Sequence, residues 1–185
     1  LGTPHPHNEH KLAEADRQIV RRGERGEICT RGYCVMQGYW GDEEKTAESI
    51  VEGWMLTGDE GVIDDDGYLA IVGRIKDLII GGGENIAPKE IAEYLLSHSD
   101  ILEAQAFGLP DEKFGEIVCV WIKKVPGSGL SEQDVKDYCT NRIAHFKVPA
   151  IVRFVDEYPL TVTGKVQKFV MRDVMTREMT AEAAG

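Results

Sequence analysis

The chain has no long apolar run, no C-x-x-C pair and no excess of basic charge, and each absence excludes a class of protein. Its apolar stretches are only a few residues long, so no segment is expected to span a membrane. Cys29, Cys34, Cys119 and Cys139 are too sparse for a disulfide scaffold, so reduced thiols in a cytoplasmic protein are expected. Lys and Arg number 21 against 32 Asp and Glu, a formal charge of −11. That balance argues against a nucleic-acid partner bound by blanket phosphate neutralisation. The N-terminus, Leu1-Gly2-Thr3-Pro4-His5, has no initiator Met, basic n-region or apolar h-region. It is therefore not a signal peptide, and it reads as a chain that has been cut. Of the 185 residues, 42% are hydrophobic, enough for a buried core in one domain or one and a half.

Charge is unevenly spread. Residues 142–177 hold seven basic side chains (Arg142, Lys147, Arg153, Lys165, Lys168, Arg172, Arg177) against Asp156, Glu157 and Asp173, a local net of +4. Such a stretch either focuses a small anionic ligand or forms a solvated face.

The local grammar changes near Arg74–Asp77. Before it, residues 1–25 read as a polar loop with room for a short strand and a turn, Glu27–Arg31 and Tyr33–Met36 as β-like segments, and Glu43–Ile50 as a short helix capped by Asp42. Trp54–Thr57, Glu60–Ile63 and Tyr68–Val72 read as strands, with a hairpin turn at Asp64-Asp65-Asp66-Gly67. After the change, Asp77–Ile80 reads as a strand, followed by Gly81-Gly82-Gly83 and a helix opened by Pro88 and running through His98. Strands are expected at Ile101–Leu109, Ile117–Val125 and Ala150–Val155. Ser131 to Asp134 resembles a capping box ahead of a helix to about Ala144, and Lys168–Met179 reads as a closing helix. The fold class expected is α+β: a short-stranded β subdomain, residues 1–75, then a compact α+β domain, residues 76–185.

Four short segments have chemical content. Asp59, after Thr57-Gly58, presents a carboxylate suited to two vicinal hydroxyls, as on a ribose, or serves as a turn Asp. Arg74 offers a planar fork of donors for hydroxyls or phosphate, or makes a surface ion pair. Gly81-Gly82-Gly83 permits positive φ and close approach of backbone to a ligand, or is a flexible connector; its spacing is neither a P-loop nor a dinucleotide fingerprint. Lys165, in Thr163-Gly164-Lys165, puts a mobile point charge on a loop before a helix, for phosphate or carboxylate oxygens or for solvent. His5, His7 and His10 lack a Cys or acidic partner at suitable spacing, and no metal site is assigned to them.

In this order and at these separations the segments resemble the adenylate-forming superfamily of acyl- and aryl-CoA synthetases, peptide-synthetase adenylation domains and luciferases. The matching motifs are Gly26-Glu27-Ile28 through Gly38-Tyr39-Trp40, Thr57-Gly58-Asp59, Gly73-Arg74-Ile75-Lys76-Asp77, Gly82-Gly83-Glu84-Asn85-Ile86 and Thr163-Gly164-Lys165. The resemblance covers essentially the whole chain. It looks closest to medium-chain and fatty acyl-CoA synthetases through Arg31–Met36 and Lys76–Ile80.

The resemblance implies an ATP-dependent ligase of fatty acid metabolism. It joins a carboxylic acid to AMP, releasing pyrophosphate, and then to CoA, releasing AMP. It implies that Asp59 and Arg74 bind the ATP ribose, that Lys76 is a hinge, and that Lys165 is the catalytic lysine of adenylation. It implies a CoA path along Gly82 and Gly83, with Phe114, Phe146 and Lys147 beside it; core packing is the competing role of both aromatics. Residues 1–75 would be the last subdomain of a large N-terminal domain, which in cis would supply the phosphate loop, most of the acyl pocket and the Mg²⁺ ligands. Residues 76–185 would be the mobile C-terminal domain, and the fragment alone is expected to be inactive in adenylation. The alternatives are an adenylating enzyme with another acceptor and a non-catalytic binding module that keeps the fold.

Overall fold

A computed structural model describes residues 2–183. The fold is mixed α+β, and contacts divide the chain between Lys76 and Asp77 into two compact units.

The first unit is built on one antiparallel sheet. β1 (Asn8–Ala13) pairs with β2 (Arg25–Gly32), and β2 with β4 (Trp54–Ile63). β3 (Ile50–Val51) and β5 (Leu69–Arg74) also pair with β4. The core is thin: Leu12, Ala13, Ile28 and Cys29 are its fully buried hydrophobic side chains among the described residues. α1 (Glu43–Ser49) starts where Asp42 accepts the Lys45 N–H at 2.9 Å, with Glu43 and Glu44 at the positive end of the helix dipole. At the Asp64–Gly67 turn, Asp64 Oδ1 accepts the Tyr68 N–H and Gly67 takes φ +85°.

The short strand allowed for within residues 1–25 is β1, whose backbone finds a full ladder of partners on β2. Two expectations for this unit need correction. Tyr33–Met36 is not a strand: β2 ends at Gly32, and the Val35 N–H turns back to the Gly32 carbonyl. Trp54–Thr57 and Glu60–Ile63 are one strand, β4, and Gly58 bulges it at φ +72° without ending it.

The second unit is a five-stranded sheet with helices on both faces. Asp77 is the last residue of a 3₁₀ turn at Ile75–Asp77 and does not open a strand as expected. β6 (Ile79–Gly81) and β7 (Glu84–Ile86) make a short hairpin across Gly82-Gly83. β8 (Ile101–Asp111) and β9 (Gly115–Lys124) form the long central pair, and β10 (Ile151–Phe154) joins β9 in parallel. Side-chain alternation sorts the central pair between two cores. Ala104, Ala106, Val118, Val120 and Ile122 face Ile91 and Leu95 of α2 (Pro88–Leu95) and Val135 and Cys139 of α3 (Glu132–Cys139). Phe107, Leu109, Cys119 and Trp121 face Met171 and Met175 of α4 (Lys168–Ala183).

Helix starts follow the sequence; three stops do not. Pro88 sits in the first turn of α2, and Ser131 and Asp134 form a reciprocal capping box. α2 stops at Leu95 instead of His98, where the Ser97 hydroxyl donates to the Tyr94 carbonyl. α3 stops at Cys139, short of Ala144, because Asn141 turns the chain with φ +59°. α4 runs beyond Met179 to Ala183.

Candidate functional site

Within the first unit, the bulge in β4 sets the position of Asp59. Residues Thr57, Gly58 and Asp59 are accommodated opposite the single residue Ile28, and the freed backbone groups are satisfied locally. The Thr57 hydroxyl donates to the Ile28 carbonyl at 2.8 Å, the Gly58 N–H to Glu27 Oε1 at 2.9 Å, and the Asp59 N–H to Thr57 Oγ1 at 3.1 Å. Asp59 then faces Arg74 across the β4–β5 ladder, and Arg74 Nε donates to Asp59 Oδ1 at 2.8 Å. The Asp59 side chain is 24% exposed and that of Arg74 67%, so the carboxylate is held while the guanidinium keeps donors free for solvent. Lys76 is exposed in the one-turn 3₁₀ element at the junction of the two units.

Within the second unit, a cavity of about 370 Å³ is lined in part by Gly82, Phe114 and Phe146, three residues far apart in the chain. Two turns make one of its walls. The Gly82 N–H donates to the Phe114 carbonyl at 2.8 Å, Gly81 pairs with Gly115, and Asp111 Oδ1 accepts the N–H groups of Lys113 and Phe114. Gly82 and Gly83 both take positive φ, +62° and +86°, as a tight hairpin turn demands; they neither cap a helix nor act as a loose connector. Phe114 is 47% exposed, so core packing does not account for it. Phe146 packs partly against the α2–α3 core and also lines the cavity.

Gly83 and Lys147 are not among the cavity-lining residues. Lys147 Nζ lies 2.5 Å from Glu90 Oε1 of α2, a pair that fixes the segment carrying Phe146. Glu84, from the Gly82–Ile86 motif, also lines the cavity, while sequence reasoning missed His145 and Glu116 on its wall. Each adjoins a residue or motif already singled out, which is the only signal that could have found it. The ring of His145 meets Phe146 edge-on, with centroids 5.5 Å apart.

Lys165 lies on a separate, exposed loop of this unit. The Thr161 N–H donates to the Lys165 carbonyl at 2.8 Å, the Lys165 N–H to Thr161 Oγ1 at 3.0 Å, and Gly164 turns the chain with φ +80°. Its ammonium has no ion-pair or hydrogen-bond partner among the described residues. The neighbouring cations differ: Lys147, Arg153 and Arg172 are paired with Glu90, Glu178 and Glu116. Burial pushes the Lys168 ammonium below the usual lysine range, and Asp77 partly offsets this. Three of the seven basic side chains of the +4 stretch are thus spent on internal pairs, and Lys168 is withdrawn by burial.

His10 Nδ1 contacts the Thr30 hydroxyl at 3.0 Å and His5 Nδ1 the Tyr33 hydroxyl at 3.2 Å. Among the described residues no group of three His, Cys, Asp or Glu side chains could hold a metal ion, and no helix is long and apolar enough to cross a membrane.

Residues 90–165 match the AMP-binding enzyme C-terminal domain. The chain is 48% identical over 170 residues to YngI of Bacillus subtilis (strain 168), which carries an acyl-CoA synthetase name; the match takes in 91% of this chain and 31% of YngI. It is 47% identical over 181 residues to the mitochondrial medium-chain acyl-CoA ligase ACSF2 of Danio rerio, 97% of this chain and 30% of that protein. Among solved structures, ATP-bound MatB from Rhodopseudomonas palustris superposes with a TM-score of 0.92 at 35% identity, over 95% of this chain and 35% of MatB. The chain therefore spans about three tenths of the length of the curated relatives it matches.

Proposed function

With residues 90–165 matching the AMP-binding enzyme C-terminal domain, we propose that this chain is the C-terminal portion of an AMP-forming acid–thiol ligase that makes acyl-CoA. Fatty or medium-chain acids are the proposed substrates, on the similarity to ACSF2 and YngI. ATP and CoA are the co-substrates. Residues 1–75 act as the last subdomain of a large adenylating domain present in cis, and residues 76–185 as the mobile domain that turns about Lys76.

The observation that carries the reading is the division of labour within the second unit. Lys165 stands on an exposed, hydrogen-bonded loop with its ammonium unpaired among the described residues, while Gly82, Phe114 and Phe146 line a separate cavity. Two half-reactions with opposite needs fit two such surfaces.

In adenylation, a carboxylate attacks the α-phosphate of ATP, and pyrophosphate leaves. Two anions must approach, so an ammonium between them lowers the barrier. Lys165 supplies that charge, and Asp59 and Arg74 hold the ribose hydroxyls. In the second step the thiol attacks the acyl carbonyl and AMP leaves. The lysine loop must then withdraw and the glycine face take its place, which rotation of one domain achieves. Phe114 and Phe146 offer stacking surfaces for the adenine of CoA. Lys147 acts on this cavity indirectly, through its bond to Glu90. Mg²⁺ would neutralise the ATP phosphates, and its ligands are assigned outside this chain. The four free cysteines suit a reducing compartment, for which we propose the cytoplasm.

The test uses the full-length protein and a chain-length series of fatty acids, following CoA-dependent AMP formation for wild type and Lys165→Ala. The expected result is turnover by wild type, and a variant that loses adenylation yet still converts pre-made acyl-adenylate. Turnover of no acid, or an unimpaired variant, overturns the reading.

A further inference from the structure

The carboxylate of Glu116 joins three elements. Its Oε2 accepts the backbone N–H of Ile80 at 2.8 Å, and its Oε1 accepts from the Arg172 guanidinium on α4. The side chain is 18% exposed and lies where a side chain on Gly108 would otherwise be: a Cβ there would come 2.9 Å from Glu116 Oε2. A glycine in the middle of a strand weakens it, and here its absent side chain makes room for the carboxylate. Glu116 is also one of the cavity-lining residues. Ile80 immediately precedes the Gly81–Gly83 turn, whose Gly82 N–H is tied in turn to the Phe114 carbonyl.

We infer that Arg172, acting through Glu116, is a positioning residue for the CoA half-reaction. It fixes the glycine wall of the cavity from α4, the helix that begins just after the Lys165 loop. The physical argument has two parts. A carboxylate on the wall of a site for an anionic cofactor repels that cofactor unless a cation balances it, and Arg172 is that cation. The hairpin β6–β7 has only three residues in each strand, too few for its own ladder to hold it rigid. The Ile80–Glu116–Arg172 chain supplies the missing constraint. The inference rests on the acid–thiol ligase reading for its ligand, but not for its geometry.

The experiment compares Arg172→Met, Arg172→Lys and Glu116→Gln with wild type in the full-length protein. Hydrogen exchange is measured over the segment Ile79–Glu84, and steady-state kinetics for both half-reactions. For Arg172→Met we expect faster exchange of the Ile80 and Gly82 amides and a KM for CoA raised about tenfold, the size of one lost charge-assisted hydrogen bond. Adenylation should stay within about twofold of wild type. Arg172→Lys, which keeps the charge, should recover most of the loss. Glu116→Gln, which keeps an acceptor for Ile80, should raise exchange less than Arg172→Met. Unchanged exchange at Ile79–Glu84 overturns the inference, as does an equal fall in both half-reactions, which would mark a merely structural role. A wild-type protein that forms no thioester sinks the ligase reading instead, and the exchange data still decide whether Arg172 holds the wall.

Discussion

Asp59 and Arg74 stand directly opposite each other on β4 and β5, with the guanidinium Nε 2.8 Å from the carboxylate. They are 15 residues apart in the chain, and an irregularity in the β4–β5 ladder between Glu60 and Gly61 sets the register that pairs them. Both are partly exposed, so the pair contributes little to stability, about 0–1 kcal/mol for an ion pair of this kind. Their value lies in pre-arranging an acceptor and a donor side by side.

The first prediction follows from that. Asp59→Ala should raise the KM for ATP about tenfold or more, by removing a charge-assisted acceptor, while the thermal midpoint moves by only a few degrees. Adenylation kinetics beside a melting curve checks it. A large loss of stability would mean the carboxylate serves the fold and not the nucleotide.

Phe114→Ala should weaken CoA without weakening the protein. Loss of one base-stacking ring corresponds to roughly 1–3 kcal/mol, about 5- to 150-fold in KM. Phe146→Ala should weaken CoA and also destabilise the fold, because Phe146 packs against the α2–α3 core. Unfolding midpoints and CoA titrations on both variants separate the two roles.

Neighbouring glycines should respond differently. A Cβ on Gly81 would lie 2.7 Å from the Glu116 carbonyl oxygen, so Gly81→Ala must push two strands apart, at a cost of about 1–3 kcal/mol. Gly83 has φ +86° and nothing within 4 Å of such an atom, so Gly83→Ala should cost only the backbone strain, about 1 kcal/mol. Denaturant titration should rank the two variants in that order.

Alkaline pH should destabilise the second unit. Burial pushes the Cys119 thiol up to about 12 and the Cys139 thiol to about 11, from an ordinary value of 9.0. Burial also raises the Tyr158 hydroxyl. Between the ordinary and the raised values the unfolded chain has lost protons that the folded chain keeps, so stability present below pH 9 falls as pH rises. Each thiol contributes a slope on the order of 1 kcal/mol per pH unit. The lowered Lys168 works in the opposite direction. Urea midpoints from pH 8 to 11 should fall, and fall less steeply in Cys119→Val.

Much of the local structure was legible in the residues themselves. Asp42, Ser131 with Asp134, and Pro88 act on backbone groups two or three positions away, so their helix starts need no tertiary information. The apolar runs at Ile101–Leu109 and Ile117–Val125 likewise announce strands, and the near-continuous run in β9 suits burial on both faces. The place of β1 within the polar residues 1–25 was not legible, because an edge strand takes its conformation from pairing with β2 and not from its side chains. The bulge at Gly58 was equally hidden: a glycine permits either a turn or a bulge, and the ladders to β2 and β5 made the choice.

The order of the motifs, the free lysine and the paired glycines were determined by the sequence alone, because chemical identity and spacing are properties of the chain. Which of those residues share a surface was decided by the tertiary structure. Gly82, Phe114 and Phe146 meet at one cavity only because β6, β9 and the 3₁₀ turn at His145–Lys147 are brought together by the two cores. Glu116 and Arg172 are 56 residues apart, and no periodicity links them. Their bond exists because the packing of α4 on the sheet brings Arg172 to a carboxylate for which Gly108 leaves room.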